Sequence, residues 1–283
     1  MVYISDSVIE SIIKEDMPYY DITTSLLNIG ANRGKISYYA RNNGVVSGVL
    51  VAKKIFEKLG AEVTFFLQDG SSILKDDMIL QAKGNADILH AGWKVALNML
   101  EYLSGITILC SQMVYKARQV NKNVMLAATR KSMPLTRQLV TLAFLAGGVE
   151  PHRLGLSETI LIFKQHLEFM GGFENLENTI KNSAQKAYEK KIILETENYD
   201  DSIKALQYNF ISGLQLDKLN PEEVAKIVDE RNKINKNIKI IAAGGINLKN
   251  IKDYAATMAD VLVSSYFFHA APFDIKAVME KDK

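Results

Sequence analysis

The stretch "KIILETENYDDSIKALQYNFISGLQLD", residues 191–217, carries the pattern on which the fold turns. Two short apolar runs, KIILET (191–196) and FISGLQL (210–216), flank a polar stretch with helical spacing over 200–207. Short apolar runs on either side of a helix are the sequence form of two parallel strands joined by a crossover. Both runs end in acids: Glu195 and Glu197 at the first, Asp217 at the second. In parallel strand–helix folds the chemistry gathers at the carboxyl ends of the strands. These acids are therefore read as candidates for a site.

The same rhythm extends in both directions. Further apolar runs stand at 124–128, 159–163, 238–243 and 259–263, with helical spacing over 174–189, 221–235 and 247–256. Repetition of this kind predicts a (β/α) barrel. The chain before residue 120 reads differently. A helix is predicted over 6–15 with Asp6 as its N-cap, and another over 49–60 ending at Gly60. Strands are predicted over 34–41, 63–70 and 78–84, and a long helical stretch over 87–120 that Gly105 breaks or bends. That mixture predicts a separate α+β unit.

Composition limits the partners. A net charge of +2 over 283 residues supplies no global field for nucleic acid or an anionic membrane. No apolar run is long enough to span a bilayer, and the first residues lack the pattern of a secretory leader. The single cysteine, Cys110, allows no internal disulfide, which fits a cytoplasmic protein. Small molecules are the expected ligands.

Reading outward from the strand ends assembles a candidate site. "ATRKSMPLTR" (128–137) places Arg130 and Lys131 directly behind a strand, and "EPHRLGLSE" adds His152 and Arg153. Guanidinium groups suit bidentate capture of a carboxylate or phosphate. "AAGGIN" puts Gly244 and Gly245 after the 238–243 strand, with Asn247 placed to cap the next helix, and Ser264 and Ser265 follow the last strand. Glycines let backbone N–H groups approach an anion, and the last two loops of such barrels often hold phosphate. Glu197 and Asp217 could hold a divalent ion, bind sugar hydroxyls or stabilise a cationic transition state. Phosphate at one end, acids over a sugar and cations at the other end suit phosphoribosyl transfer to an acidic aromatic acceptor.

These residues fall within a longer series: "EDMPYYDITT" (15–24), "ALNMLEYLSGI" (96–106), "ATRKSMP" (128–134), "GGVEPHRLGLSETILI" (147–162), "ETE" (195–197), "LQLD" (214–217) and "AAGGI" (242–246). In that order and spacing the chain resembles the nicotinate-nucleotide pyrophosphorylase (quinolinate phosphoribosyltransferase) family nearly end to end. The resemblance implies an N-terminal α/β sandwich domain over 1–110 and an open (β/α) barrel of the type II phosphoribosyltransferase kind over 111–270. A C-terminal segment, 271–283, would pack back on the first domain. It implies a homodimer with sites shared between subunits, magnesium, phosphoribosyl pyrophosphate as donor, quinolinate as acceptor and release of pyrophosphate. By position, Arg130, His152 and Arg153 would grip the pyridine dicarboxylate, and Lys131 would lie near the donor. Glu197 and Asp217 would face the ribose and, indirectly, the metal, with Gly244 and Gly245 on the 5′-phosphate.

The departures are as informative. Where the family reads LIKDNH this chain reads "LIFKQH" (161–166), so Phe163 takes the place of a substrate-facing lysine. Lys164 stands one residue later, where a continuing strand would turn it to the other face. Lys94 replaces an arginine that the neighbouring subunit contributes. Ala243 replaces a serine, and "VSSYFFHAAPFDI" (263–275) replaces a Ser-x-Gly stretch. Losing one cation against a dicarboxylate costs on the order of 1.5–3 kcal/mol. The altered set looks like the branch of the family called ModD, associated with molybdate transport. Two other readings stand beside the first: a same-fold enzyme with a non-dicarboxylate acceptor, and a non-catalytic molybdate-handling protein. His90 and His166 are read as structural, and Trp93 as a core or interface aromatic.

Overall fold

A computed structural model of the chain describes residues 2–282. The chain forms two compact units. The first comprises the residues through Ser111, Ser132–Gly148 and the stretch from Phe268 onward; the second comprises Gln112–Lys131 and Val149–Phe267.

The first unit begins with helices α1 (Asp6–Asp16) and α2 (Ile22–Leu26). Its strands are β1 (Arg33–Ala40), β2 (Gly44–Val45), β3 (Glu62–Phe66), β4 (Ser72–Ile73) and β5 (Met78–Asn85), with helix α3 (Val49–Leu59) between β2 and β3. Helices α4 (Ala86–Arg118) and α5 (Arg137–Ala146) follow, and β13 (Ile275–Lys281) is the last strand of the chain. The main sheet runs β13-β1-β5-β3, antiparallel throughout; β2 and β4 pair separately. Ile36 and Tyr38 of β1 pack with Val49 and Phe56 of α3 and Leu97 and Leu100 of α4. On the far side of α3, Val51 and Ile55 meet Ile9 of α1, Val95 and Leu103 of α4 and Leu139 and Leu142 of α5. α5 lies inside the stretch assigned to the barrel from sequence, yet its apolar face is buried in this layer.

Two local expectations change, for Asp6 and Gly105. The N-cap of α1 is Ser5, with Asp6 as the first helical residue. A further cap is Asp21, whose carboxylate accepts from the N–H groups of Thr23 and Thr24, at 2.9 and 3.2 Å, at the start of α2. Gly105 does not break α4, which continues unbroken for 33 residues. A Cβ at Gly105 would collide with the carbonyl oxygen of Ala271 and come within 3.3 Å of the Pro272 Cα. Glycine here serves close packing.

The second unit holds a seven-stranded parallel sheet in the order β7-β6-β12-β11-β10-β9-β8. The strands are β6 (Met125–Ala128), β7 (Glu150–Pro151), β8 (Ile160–Ile162), β9 (Ile192–Thr196), β10 (Gly213–Asp217), β11 (Lys239–Ala243) and β12 (Val261–Ser264). It curls into a barrel left open between β7 and β8. β7 escaped the sequence reading because it is two residues long, and Pro151, lacking an N–H, suits an edge strand. The single helix read over 174–189 is instead two short turns flanking α7 (Leu176–Ser183), and α6 (Lys164–Met170) precedes them. Gly171 and Gly172, both at positive φ, separate α6 from that segment. Between later strands lie α8 (Tyr199–Ala205), α9 (Pro221–Ile234) and α10 (Ile251–Ala256), with α9 closed by an Asn220–Glu223 capping box. No helix among the described residues is long and apolar enough to cross a membrane.

The Gly105 packing has a signed consequence. Alanine in place of an unconstrained helical glycine stabilises by ~0.5–1 kcal/mol. The Ala271 carbonyl reverses this: Gly105→Ala should destabilise by about 1–3 kcal/mol, read as a lower urea midpoint. An unchanged or raised midpoint would contradict the contact.

Candidate active site at the barrel mouth

Alternation along the parallel strands places the site. Ile193, Ala127, Ile241, Ala243, Val261 and Val263 form one buried apolar cluster inside the barrel. Side chains repeat with period two along a strand. The next positions outward on the same faces are therefore Glu195 on β9 and Glu197 just after it, Gln215 and Asp217 on β10, Gly245 after β11, Ser265 after β12 and Thr129 after β6. All of these line one cavity of about 670 Å³, within the range of small-molecule sites, roughly 300–1,000 Å³. Arg130, Lys131, His152, Arg153, Phe163, Gly244 and Ser264 also line it. Every site residue drawn from the sequence is thus in this one space except Lys94. That residue sits on α4 in the first unit, its ammonium 4.6 Å from the Trp93 ring centroid.

One end of the cavity is cationic. The Arg153 guanidinium lies 5.6 Å from the Phe163 ring centroid, a cation–π distance. Burial, and then the charge of Arg130, lower the proton affinity of Arg153. Two guanidiniums close enough to repel, in a desolvating wall, are arranged to receive an anion. His152 is held below its ordinary value, first by burial and then by Arg153. Arg130 Nε and His152 Nε2 are buried without a partner. Buried polar atoms seldom stay unpaired, so both are poised for a ligand.

The opposite side is acidic, and here the structure adds residues. Glu195, for which the family resemblance implies no role, lines the cavity with Glu197 and Asp217. Burial holds its carboxyl above the usual range; the charges of Asp217 and Glu197 add to this, and a hydrogen bond from Gln215 Nε2 opposes it. The other amide atom of Gln215, Oε1, is buried and unpartnered. Asp217 Oδ2 lies 3.0 Å from Lys218 Nζ, and Glu197 Oε2 lies 3.5 Å from Lys164 Nζ. The second contact corrects the sequence reading. β8 ends at Ile162, and Lys164 opens α6, so strand alternation does not apply to it. The chain turns at Phe163, whose N–H is accepted by His166 Nδ1 at 2.9 Å. His166 is thus a structural cap, and His90 Nδ1 similarly meets the Ala86 carbonyl at 2.6 Å. The period-two signal that marks Glu197 and Asp217 also marks Glu195 and Gln215. No pattern marked Lys218.

The glycine loop differs in detail from its sequence reading. Gly244 and Gly245 adopt φ of 88° and 75°, which glycine alone enters freely. Ser264 is buried, and its hydroxyl donates to the Ile246 carbonyl at 2.6 Å while accepting from Tyr266 N–H at 2.9 Å. Its proton is committed to the loop, so Ser264 shapes the anion pocket and leaves hydroxyl donation to Ser265. Asn247 does not cap α10. Its side chain accepts from Lys249 N–H and donates to the Gly245 carbonyl, both at 2.9 Å, and α10 starts after Asn250.

Residues 21–104 match the family domain described as "Quinolinate phosphoribosyl transferase, N-terminal domain", and residues 106–277 match the corresponding C-terminal domain. The chain is 34% identical over 281 residues to a Pasteurella multocida protein named "Putative pyrophosphorylase ModD", covering 99% of each. It is 31% identical over 258 residues to a "Probable nicotinate-nucleotide pyrophosphorylase [carboxylating]" of Archaeoglobus fulgidus, covering 90% of this chain and 96% of that one. The crystal structure of NadC from Streptococcus pyogenes shares the fold, with a TM-score of 0.88 at 24% identity over 98% of this chain and 97% of that chain.

The His152 environment is testable by titration. A folded value below the ordinary 6.5 means the neutral ring is favoured by folding. Its contribution to stability is then fully present above pH 6.5 and lost as pH falls through the lower folded value. Among the four histidine resonances, the one that disappears in His152→Gln should titrate below 6.5. A midpoint at or above that value would contradict the burial.

Proposed function

Because the chain belongs to the quinolinate phosphoribosyl transferase family, we propose that this cavity moves phosphoribosyl from phosphoribosyl pyrophosphate to a small aromatic acid. That acid carries fewer carboxylates than quinolinate, and pyrophosphate is released. The observation that carries this reading is the Phe163 ring seated under Arg153, where the family resemblance puts a lysine. Arg130, His152 and Arg153 are left to hold a single carboxylate, with the Phe163 ring as an apolar wall beside the aromatic ring.

In this reading Glu197 and Asp217 face the ribose and stabilise the positive charge that grows at its C1 as the bond to pyrophosphate breaks. Lys131 reaches the donor phosphates. Gly244, Gly245 and Ser265 receive the 5′-phosphate through backbone N–H groups and one hydroxyl. Magnesium is usually bound through one or two carboxylates together with substrate phosphates. Glu197 and Asp217 fit that indirect mode. Among the described residues no group of three His, Cys, Asp or Glu is placed to cage an ion, so the ion would arrive with the donor. When bound it neutralises phosphate charge. The working form is a cytoplasmic homodimer, in which Lys94 of a second copy completes the acceptor end as a point charge in place of a planar fork.

Pyrophosphate release from phosphoribosyl pyrophosphate and magnesium, measured across a panel of pyridine and pyrimidine acids, tests the reading. A monocarboxylic acid should be preferred over quinolinate. Phe163→Lys should raise kcat/KM for quinolinate by about ten- to a hundredfold, the worth of one charged hydrogen bond. Equal quinolinate turnover in both proteins removes the basis for the smaller acceptor. Binding of molybdate without any binding of the donor would favour the accessory reading instead.

A further inference from the structure

Both acids of the proposed ribose site are already partnered by ammonium groups of this chain. Lys218 Nζ stands 3.0 Å from Asp217, and Lys164 Nζ stands 3.5 Å from Glu197. Exposed lysine–carboxylate pairs contribute little to folding, and these ammonium-bearing side chains are 77% and 58% exposed. Stability does not explain them.

The backbone around Lys218 is nonetheless elaborate. Lys218 is a non-glycine residue at φ 61°, a conformation most side chains avoid. It is held there by its N–H, which donates to the Ala243 carbonyl at 2.8 Å. A Cβ on Gly244 would lie 2.6 Å from the Lys218 nitrogen and 2.7 Å from its Cγ. The glycine of the phosphate loop and the lysine beside Asp217 are therefore built against each other. Lys164 is fixed in a comparable way, at the start of α6 and directly after the turn that His166 closes on Phe163. Charge balance points the same way. Arg130, Lys131, Arg153 and Lys218 line the cavity against Glu195, Glu197 and Asp217, and Lys164 adds a further positive charge at Glu197.

Resting on the phosphoribosyltransferase reading, we propose that Lys218 and Lys164 are donor-binding residues that hold the pyrophosphate of phosphoribosyl pyrophosphate. Each ammonium stands at one of the site's carboxylates, within reach of phosphates brought by the donor. Glu197 and Asp217 then have two tasks, facing the ribose and aiming the two ammoniums. Lysine suits the purpose, being a compact point charge on a stem long enough to follow a departing anion.

The experiment is calorimetric binding of inorganic pyrophosphate to the intact protein, in EDTA and in magnesium. Wild type should bind pyrophosphate without magnesium, and more weakly as salt is raised. Lys218→Met and Lys164→Met should each weaken that binding by about tenfold and the double variant by about a hundredfold, as separate charge contacts do. Lys→Arg at either position should keep most of the affinity. Lys233→Met, on α9 and paired with Glu230, should bind like wild type, and thermal melting should show all variants folded. Binding that requires magnesium and is indifferent to both lysines would overturn the inference while leaving the phosphoribosyltransferase reading intact. No binding of pyrophosphate or of phosphoribosyl pyrophosphate under either condition would remove both.

Discussion

The barrel interior must be filled, and that constraint decides where the chemistry stands. Parallel strands present alternate side chains to one lumen. The register aligns Gln215 with Glu195 on one side and with Ile241 on the other, and Ala243 with Val263. Deep in the lumen these positions are apolar and tightly packed. One step toward the carboxyl ends the same faces turn to acids, an amide and small groups. Ala243 and Val263, at the outer end of this cluster, also line the cavity. Inserting or deleting one residue in β9 or β10 would turn Glu195 or Asp217 away and bring in a neighbour such as Leu194 or Leu216, both buried, because a shift of one reverses every face.

Cations and acids reach the cavity from different parts of the fold. Arg130, His152 and Arg153 come from the segments after β6 and β7, where the sheet ends at a proline edge. Arg130 and Arg153 repel each other in a partly desolvated wall, and Glu158 offsets part of that repulsion. The acids come from the ends of β9 and β10, which with β11 are the longest strands of this sheet at 5 residues each. Groups that must stabilise a developing charge gain from rigidity, since they need no rearrangement during the reaction. The cationic groups at the Arg153 end stand on the segments that follow β6 and β7.

Much of this was legible in the sequence because it rests on periodicity. The strand–helix alternation, the acids at the ends of β9 and β10 and the glycine pair after β11 are all local patterns. What escaped depends on contacts distant in sequence or on changes of backbone state. Gly105 reads as a helix breaker until the Ala271 carbonyl is seen against it. Ser264 reads as a phosphate donor until its hydroxyl is found committed to Ile246. Lys218 carries no motif at all, since its placement comes from a positive φ that lysine rarely adopts. Asn247 stands where a cap belongs, but a turn delays α10 by several residues. Periodicity predicts which face a side chain occupies. It does not predict which hydrogen bonds that side chain has already made.

Phe163 and Lys164 show how a one-residue displacement redistributes function. A lysine at position 163 would project into the cavity beside Arg153. At 164 the chain has left β8 and begun α6, and the ammonium reaches Glu197 on the acidic side instead. The Phe163 ring stacks on His166, with centroids 5.7 Å apart and planes inclined by 17°, so this turn has little freedom to swing Lys164 back. The net effect is to place one positive charge at the Glu197 end of the cavity rather than at the Arg153 end. In the proposed transfer, this charge placement is what would favour a smaller, less charged aromatic acid at one end and set a cation beside Glu197 at the other. Both shifts follow from where a short edge strand stops, which depends on three residues of ladder pairing between β8 and β9.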